Sequence, residues 1–142
     1  MIIPDINLLI YAHNSSAPQH ERARNWWEQT ITGSEPIGIA WVVILGFVRL
    51  LSNPKVVLNP SDPPELLSAV NEFLSQPTVR VVSPAAGHAE TMIKLFRESG
   101  ATGRLTTDIH LAALAIDLGA RLATNDTDFA RFPSLRTINP LA

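Results

Sequence analysis

The stretch LTTDIHLAALAIDLGARLATNDTDF, residues 105–129, decides how the rest of the chain is read. It places a helix, a short β-run and an acidic turn in immediate succession. Asp108 stands before an apolar segment, residues 109–118, whose hydrophobic positions cover nearly the whole helical circumference. That pattern predicts a helix opened by Asp108, buried on several sides and ended by Gly119. Arg121 to Ala123 reads as a strand, and Thr124, Asn125, Asp126, Thr127 and Asp128 begin where it would leave the sheet. Sites in open parallel α/β sheets assemble at the carboxyl ends of the strands. Asp108, Asp126 and Asp128 are therefore expected to meet there.

Upstream, short β-runs alternate with helical segments. Ile2 and Ile3 are β-branched and Pro4 lacks a backbone donor, so a very short first strand is expected to end at Pro4. Asp5 follows as N-cap of an apolar helix running through Tyr11, which Asn14, Ser15 and Ser16 break. Further helices are expected over residues 20–30, 41–51, 65–75 and 86–99, and further strands over 37–40, 80–82 and 135–138. Residues 53–64 form a Pro-rich loop, and 100–104 a flexible connection. Trp26 and Trp27 are expected to pack inward or onto a partner. The alternation predicts βαβ units with right-handed crossovers, an α/β fold built as one domain over residues 1–142 around a mainly parallel sheet flanked by helices.

Composition narrows the function. The chain has 142 residues, 46% of them hydrophobic, and a net charge of -2, so no overall basic field speaks for nucleic acid and any such ligand needs a local patch. The absence of Cys excludes disulfides and thiolate metal sites. No apolar run approaches the roughly 18 residues of a membrane span, and the N-terminus lacks the basic start of a signal peptide. A soluble, cytoplasmic protein is expected.

Asp5, Asp108 and Asp126 each read as standing before a helical segment. Any one of them is most simply an N-cap. Their conjunction at strand ends says more, because crowded carboxylates repel and a divalent cation relieves them. Oxygen ligands favour magnesium or manganese. Such an ion activates water and stabilises charge developing on a phosphate. Asp128 is either a further ligand or a surface acid. Asn7 is a candidate for orienting Asp5, and Thr124 and Asn125 for holding the Asp126 turn. Arg49, Arg104 and Arg131 are candidate phosphate contacts. Asp62 and Asp117 read as solvent-facing. His13, His20, His88 and His110 show no metal-ligand spacing and no evident pairing.

The Asp5-Ile6-Asn7 start, the DIHLAALA helix and the TNDTDF turn, with Arg131, Phe132 and Pro133 after it, together resemble the PIN domains, specifically the toxin nucleases of VapBC toxin-antitoxin pairs. The resemblance covers essentially the whole chain. It implies a magnesium-dependent endoribonuclease, with manganese as a substitute, whose catalytic acids are Asp5, Asp108 and Asp126 and whose metal ligands add Asp128. It also implies a VapB-like antitoxin, with residues 6–11 and 41–51, Trp26 and Trp27 as candidates for its groove, and a homodimer. The family commonly places a Glu in the run Ile44, Leu45, Gly46, Phe47, Val48, Arg49, at the position that Gly46 occupies here. A helix-interior Gly costs about 0.5–1 kcal/mol, and the missing acid accounts for it better than packing does. Gly46 is accordingly expected to impair activity. Two other classes remain: an inactive PIN domain that only binds RNA or antitoxin, and an aspartyl-phosphate protein with Asp5 as nucleophile, which would want a Lys at the site although the only lysines, Lys55 and Lys94, lie away from the strand ends.

Overall fold

The computed structural model describes residues 1–142. Its elements alternate as the β-runs demand. β1 (Ile2–Pro4) leads into α1 (Ile6–His13) and α2 (His20–Ile31); β2 (Ile37–Ala40) leads into α3 (Trp41–Leu51) and α4 (Pro63–Leu74). β3 (Val79–Val82) leads into α5 (His88–Ser99) and α6 (Thr106–Asp117); β4 (Arg121–Ala123) and β5 (Thr137–Ile138) follow. All neighbouring strands are parallel, in the order β3-β2-β1-β4-β5. Register is fixed around β1, with Ile2 opposite both Ile37 and Arg121, and Pro4 opposite Ala123. Pro4 thus belongs to the first strand. Asp5 N donates to Ala123 O at 2.9 Å immediately beyond it and so ties the carboxyl ends of β1 and β4 together.

The first two crossovers step in one direction from β1, and the third returns past it to β4. Right-handed crossovers then put α1 to α4 on one face and α5 and α6 on the other. The packing agrees: α1 contacts α2 and α3, α3 contacts α4, and α5 contacts α6. The strand order reverses between β1 and β4, and a crevice opens at such a reversal.

The core lies between these layers. β1 and β2 are buried along their whole lengths, as strands covered on both faces are. Ile109, Leu111, Ala112, Ala113, Leu114 and Ala115 of α6 are buried, so the near-complete apolar circumference does mark a helix enclosed on several sides. Gly119, at φ +64°, ends that segment as a left-handed terminator. Trp27 is buried and meets Phe73 edge-on, with ring centroids 5.4 Å apart.

Three sequence expectations change. α6 begins at Thr106, after a 3-10 turn at Gly103–Leu105, so Asp108 lies inside its first turn and Leu105 holds the cap position without a side-chain hydrogen bond. That 3-10 turn replaces the expected loose connection. The third concerns Gly46, which is buried, and a Cβ there would stand 2.8 Å from Ile6 Cδ1. Close packing of α1 on α3 therefore accounts for this glycine without reference to a missing acid.

A thermodynamic cycle tests that account. Gly46→Ala alone should be nearly neutral, since the roughly 0.5–1 kcal/mol gained in helix propensity is offset by displacing Ile6. In an Ile6→Val background, which removes Cδ1, the same change should stabilise by the full propensity gain in urea unfolding. Equal effects in the two backgrounds would contradict the packing account.

Candidate active site and metal centre

The carboxyl ends of β1 and β4 supply the site. Asp5 leaves β1 in extended conformation and caps α1, with Oδ1 accepting from Ile6 N at 2.7 Å. Its other oxygen, Oδ2, accepts from Thr124 Oγ1 at 2.8 Å. The same hydroxyl accepts from Asp126 N at 3.0 Å, and Asp126 Oδ1 accepts from Asp128 N at 2.9 Å, capping a 3-10 turn at Thr127–Arg131. One chain of hydrogen bonds therefore runs from Asp5 through Thr124 to Asp126 and Asp128. Asn125 takes no part in it, so of these two residues only Thr124 helps to hold the turn. Asn7 makes no bond to Asp5.

One carboxylate oxygen from each of Asp108, Asp126 and Asp128 lies within 4.8 Å of the others. This is an arrangement that a divalent cation can bridge, and the donor set, three half-buried carboxylates, suits a hard ion. Asp5 stands behind this trio. It is 6% exposed, and its carboxyl is pushed up from 3.8 to about 6, chiefly by burial, against the lowering effect of the Thr124 and Ile6 bonds and with further upward pressure from Asp108 and Asp126. Burial also raises Asp108, followed by repulsion from Asp126 and Asp128. The repulsion that adds to burial at Asp5 and Asp108 reflects the crowding of negative charge at this edge of the sheet. A cation would relieve it.

The arginines divide. Arg131 reaches Asp128 at 3.5 Å, and both Arg104 and Arg131 are close enough to lower Asp108. Arg49 lies in the last turn of α3, which runs away from this edge. Neither lysine approaches Asp5: Lys94 pairs with Glu98 at 3.7 Å on α5, and Lys55 sits exposed in the loop after α3. With both oxygens of Asp5 engaged and no lysine beside it, the aspartyl-phosphate reading loses its chemistry.

A pairing missing from the sequence reading joins α5 to α6. His88 Nε2 and His110 Nδ1 are 2.8 Å apart, His88 Nδ1 faces Asp117 Oδ2 at 3.6 Å, and Thr91 Oγ1 donates to Asp117 Oδ1 at 2.8 Å. The histidines come from different helices, so their spacing in the chain carries no signal of it. Burial and the facing His88 hold His110 below the usual imidazole range.

A family model described as the PIN domain matches residues 2–135. The chain belongs to the PIN-domain family. Among curated relatives, Ribonuclease VapC33 of Mycobacterium tuberculosis is 40% identical over 141 residues, 99% of each chain. Ribonuclease VapC37 of the same organism is 32% identical over 142 residues, covering 100% of this chain and 99% of its own. Among solved structures, VapBC2 from Rickettsia felis, bound to a DNA fragment from its promoter, superposes with a TM-score of 0.70 at 22% identity over 98% of both chains. VapC20 of Mycobacterium tuberculosis, described as a Sarcin-Ricin loop cleaving toxin, gives 0.65 at 19% identity over 96% of this chain and 99% of its own. The parallel sheet and its reversal are thus those of a PIN-domain fold.

The raised carboxyl of Asp5 has a thermodynamic signature. A group whose pKa is higher folded than unfolded binds its proton more tightly in the folded chain, so its penalty is absent below about pH 4, grows through pH 4–6 and is complete above. A rise from 3.8 to about 6 corresponds to about 3 kcal/mol. In urea unfolding with EDTA, the metal-free chain should lose about that much stability relative to Asp5→Asn between pH 4 and 7. A pH-independent difference would contradict it. Thr124→Val removes the hydroxyl that serves both Asp5 and Asp126, and should cost about 1–3 kcal/mol at pH 7 in the same assay.

Proposed function

We propose that residues 1–142 form a single PIN domain acting as the toxin of a type II toxin-antitoxin system, an endoribonuclease that cuts RNA phosphodiester bonds with Mg2+, or Mn2+ in its place, in the cytoplasm. The observation that carries this reading is the meeting of Asp108, Asp126 and Asp128 within 4.8 Å, in front of buried Asp5, at the reversal of a parallel sheet. Relatives named ribonucleases at up to 40% identity over nearly the whole chain support it.

Asp108, Asp126 and Asp128 would hold the ion, with Asp5 completing the negative field behind them. When bound, the ion neutralises these carboxylates, lowers the pKa of a water and stabilises the charge that develops at the phosphate during in-line displacement. The chain's own residues do the rest. Thr124 fixes the angle between Asp5 and Asp126, and the Asp126 cap fixes the backbone that carries Asp128. Burial, with Asp108 and Asp126 nearby, pushes the Asp5 carboxyl up to about 6, and a cation held at this edge would favour its ionised form. Arg104 and Arg131 offer cations at the rim for the neighbouring phosphates.

The partners follow the same logic. A VapB-like antitoxin would cover apolar surface, and Trp41, 50% exposed, supplies it beside Leu67 and Pro64 around a cavity of about 490 Å3 between α3 and α4, with Leu45 of α3 a further 59% exposed side chain. The earlier assignment of α1 to that groove does not survive, because Leu8, Leu9 and Ile10 are buried in the core, as is Trp27. Trp26 is half-buried against the core. A homodimer completes the proposal. No helix is long and apolar enough to cross a membrane.

Gly46 favours one second reading, a PIN domain that binds without cutting, because α3 contributes no acid to the site. Both readings are separated by Mg2+-dependent cleavage of total bacterial RNA. The chain should cut, and Asp126→Asn and Asp5→Ala should each lose about 100-fold or more, since even the outer supports of a metal site are worth 10–100-fold. Gly46→Glu should raise the rate if the missing acid limits it. Magnesium binding by calorimetry without cleavage by any of these chains would establish the binding-only domain.

A further inference from the structure

A small cavity of about 160 Å3 lies between the acidic turn and the end of β5, and Thr124 and Asp126 line both it and the metal-binding edge. We propose that it is the subsite for one unpaired RNA base beside the cleaved bond, an inference that rests on the nuclease reading above. Whatever fills this cavity lies next to the phosphate at the carboxylates, because the two sites share a wall.

Its chemistry selects a neutral, planar, hydrogen-bonding ligand. No Lys or Arg lines it, and Asp126 borders it, so a phosphate would be repelled. Phe129 and Ala130 give an apolar floor. Around that floor stand the amides of Asn125 and Asn139 and the hydroxyls of Thr127 and Thr137, a mixed set of donors and acceptors. Only one of these polar groups is engaged: Asn139 Oδ1 accepts from Leu141 N at 3.0 Å, which fixes the plane of the amide and leaves its NH2 to donate. The cavity is smaller than the roughly 300 Å3 at which sites for larger organic ligands begin, and so has the scale of a single heterocycle. Proteins that read RNA sequence do so on splayed-out bases, by hydrogen bonds to their edges and contact with their faces. The arrangement here offers both.

Two readouts test the subsite. In the first, the isotopically labelled full chain, with Ca2+ in place of Mg2+, is titrated with RNA trinucleotides carrying each of the four bases, or an abasic sugar, at the centre. The side-chain amide resonances of Asn125 and Asn139 should move with one or two of the four bases and stay still with the abasic one. Amides that stay still with every trinucleotide, or move equally with the abasic one, overturn the proposal. In the second, cleavage of a randomised RNA is sequenced. Asn139→Ala and Thr137→Val should each flatten base preference at one position beside the cut by up to about tenfold, the worth of one hydrogen bond, while rates on sequences lacking the preferred base stay within about twofold. Cutting with unchanged preference overturns the subsite and leaves the nuclease standing. Base-dependent amide shifts in a chain that cuts no RNA overturn the nuclease, and with it the place beside a cleaved bond, and leave a base-binding cavity in a domain that only binds.

Discussion

One buried hydroxyl holds the functional edge of this fold together. Thr124 Oγ1 donates to Asp5 Oδ2 and accepts from Asp126 N, so it bonds the ends of β1 and β4 by side chain where Asp5 N and Ala123 O bond them by backbone. The strands themselves are only three residues each, too short to fix the direction of the chain beyond their ends. The Thr124 bonds supply that direction. They also work against the cost they make possible: a buried Asp with two donors remains raised to about 6, so desolvation outweighs both bonds. The chain tolerates an unrelieved carboxylate in order to place it.

The reversal of the sheet explains why the charges gather. Had every crossover stepped the same way, Asp5 would sit between strands whose ends are both covered by helices of one layer. Because α5 and α6 cover the other face, α6 enters from the opposite side and brings Asp108 over the β1–β4 gap. Burial, then repulsion from Asp126 and Asp128, hold the Asp108 carboxyl above its usual range there, against the pull of Arg104 and Arg131. The acids are thus assembled by topology and held by local caps, two independent devices acting on the same few residues.

Much of this was legible in the chain. β2, α3 and β4 begin and end where the residues indicate, because each has a sharp boundary: a Gly-Ser-Glu-Pro turn before Ile37, an unbroken apolar run through Leu51, a terminating Gly119 before Arg121. Asp5 and Asp126 are caps as their type and place suggest. Asp108 misleads because Thr106 and Thr107 look like loop residues, whereas the preceding 3-10 turn already supplies helical backbone and the Asp is carried one turn inward. The His88–His110 contact and the cavity beside β5 join residues far apart in sequence, and no periodicity or spacing announces such meetings.

Gly46 shows how the two levels interact. Ile6 follows Asp5 directly, and its side chain fills the space that a residue at position 46 would need. The packing of α1 on α3 therefore fixes the backbone of Asp5 from below while Thr124 fixes its carboxyl from above. A side chain at 46 would disturb that support, although Ile6 Cδ1 is the free end of a flexible side chain and can yield. The glycine is thus coupled to the packing that holds Ile6 beside Asp5. A metal site depends on its acids being preorganised, and here the deepest acid is gripped by its backbone, both of its oxygens and the side chain that follows it.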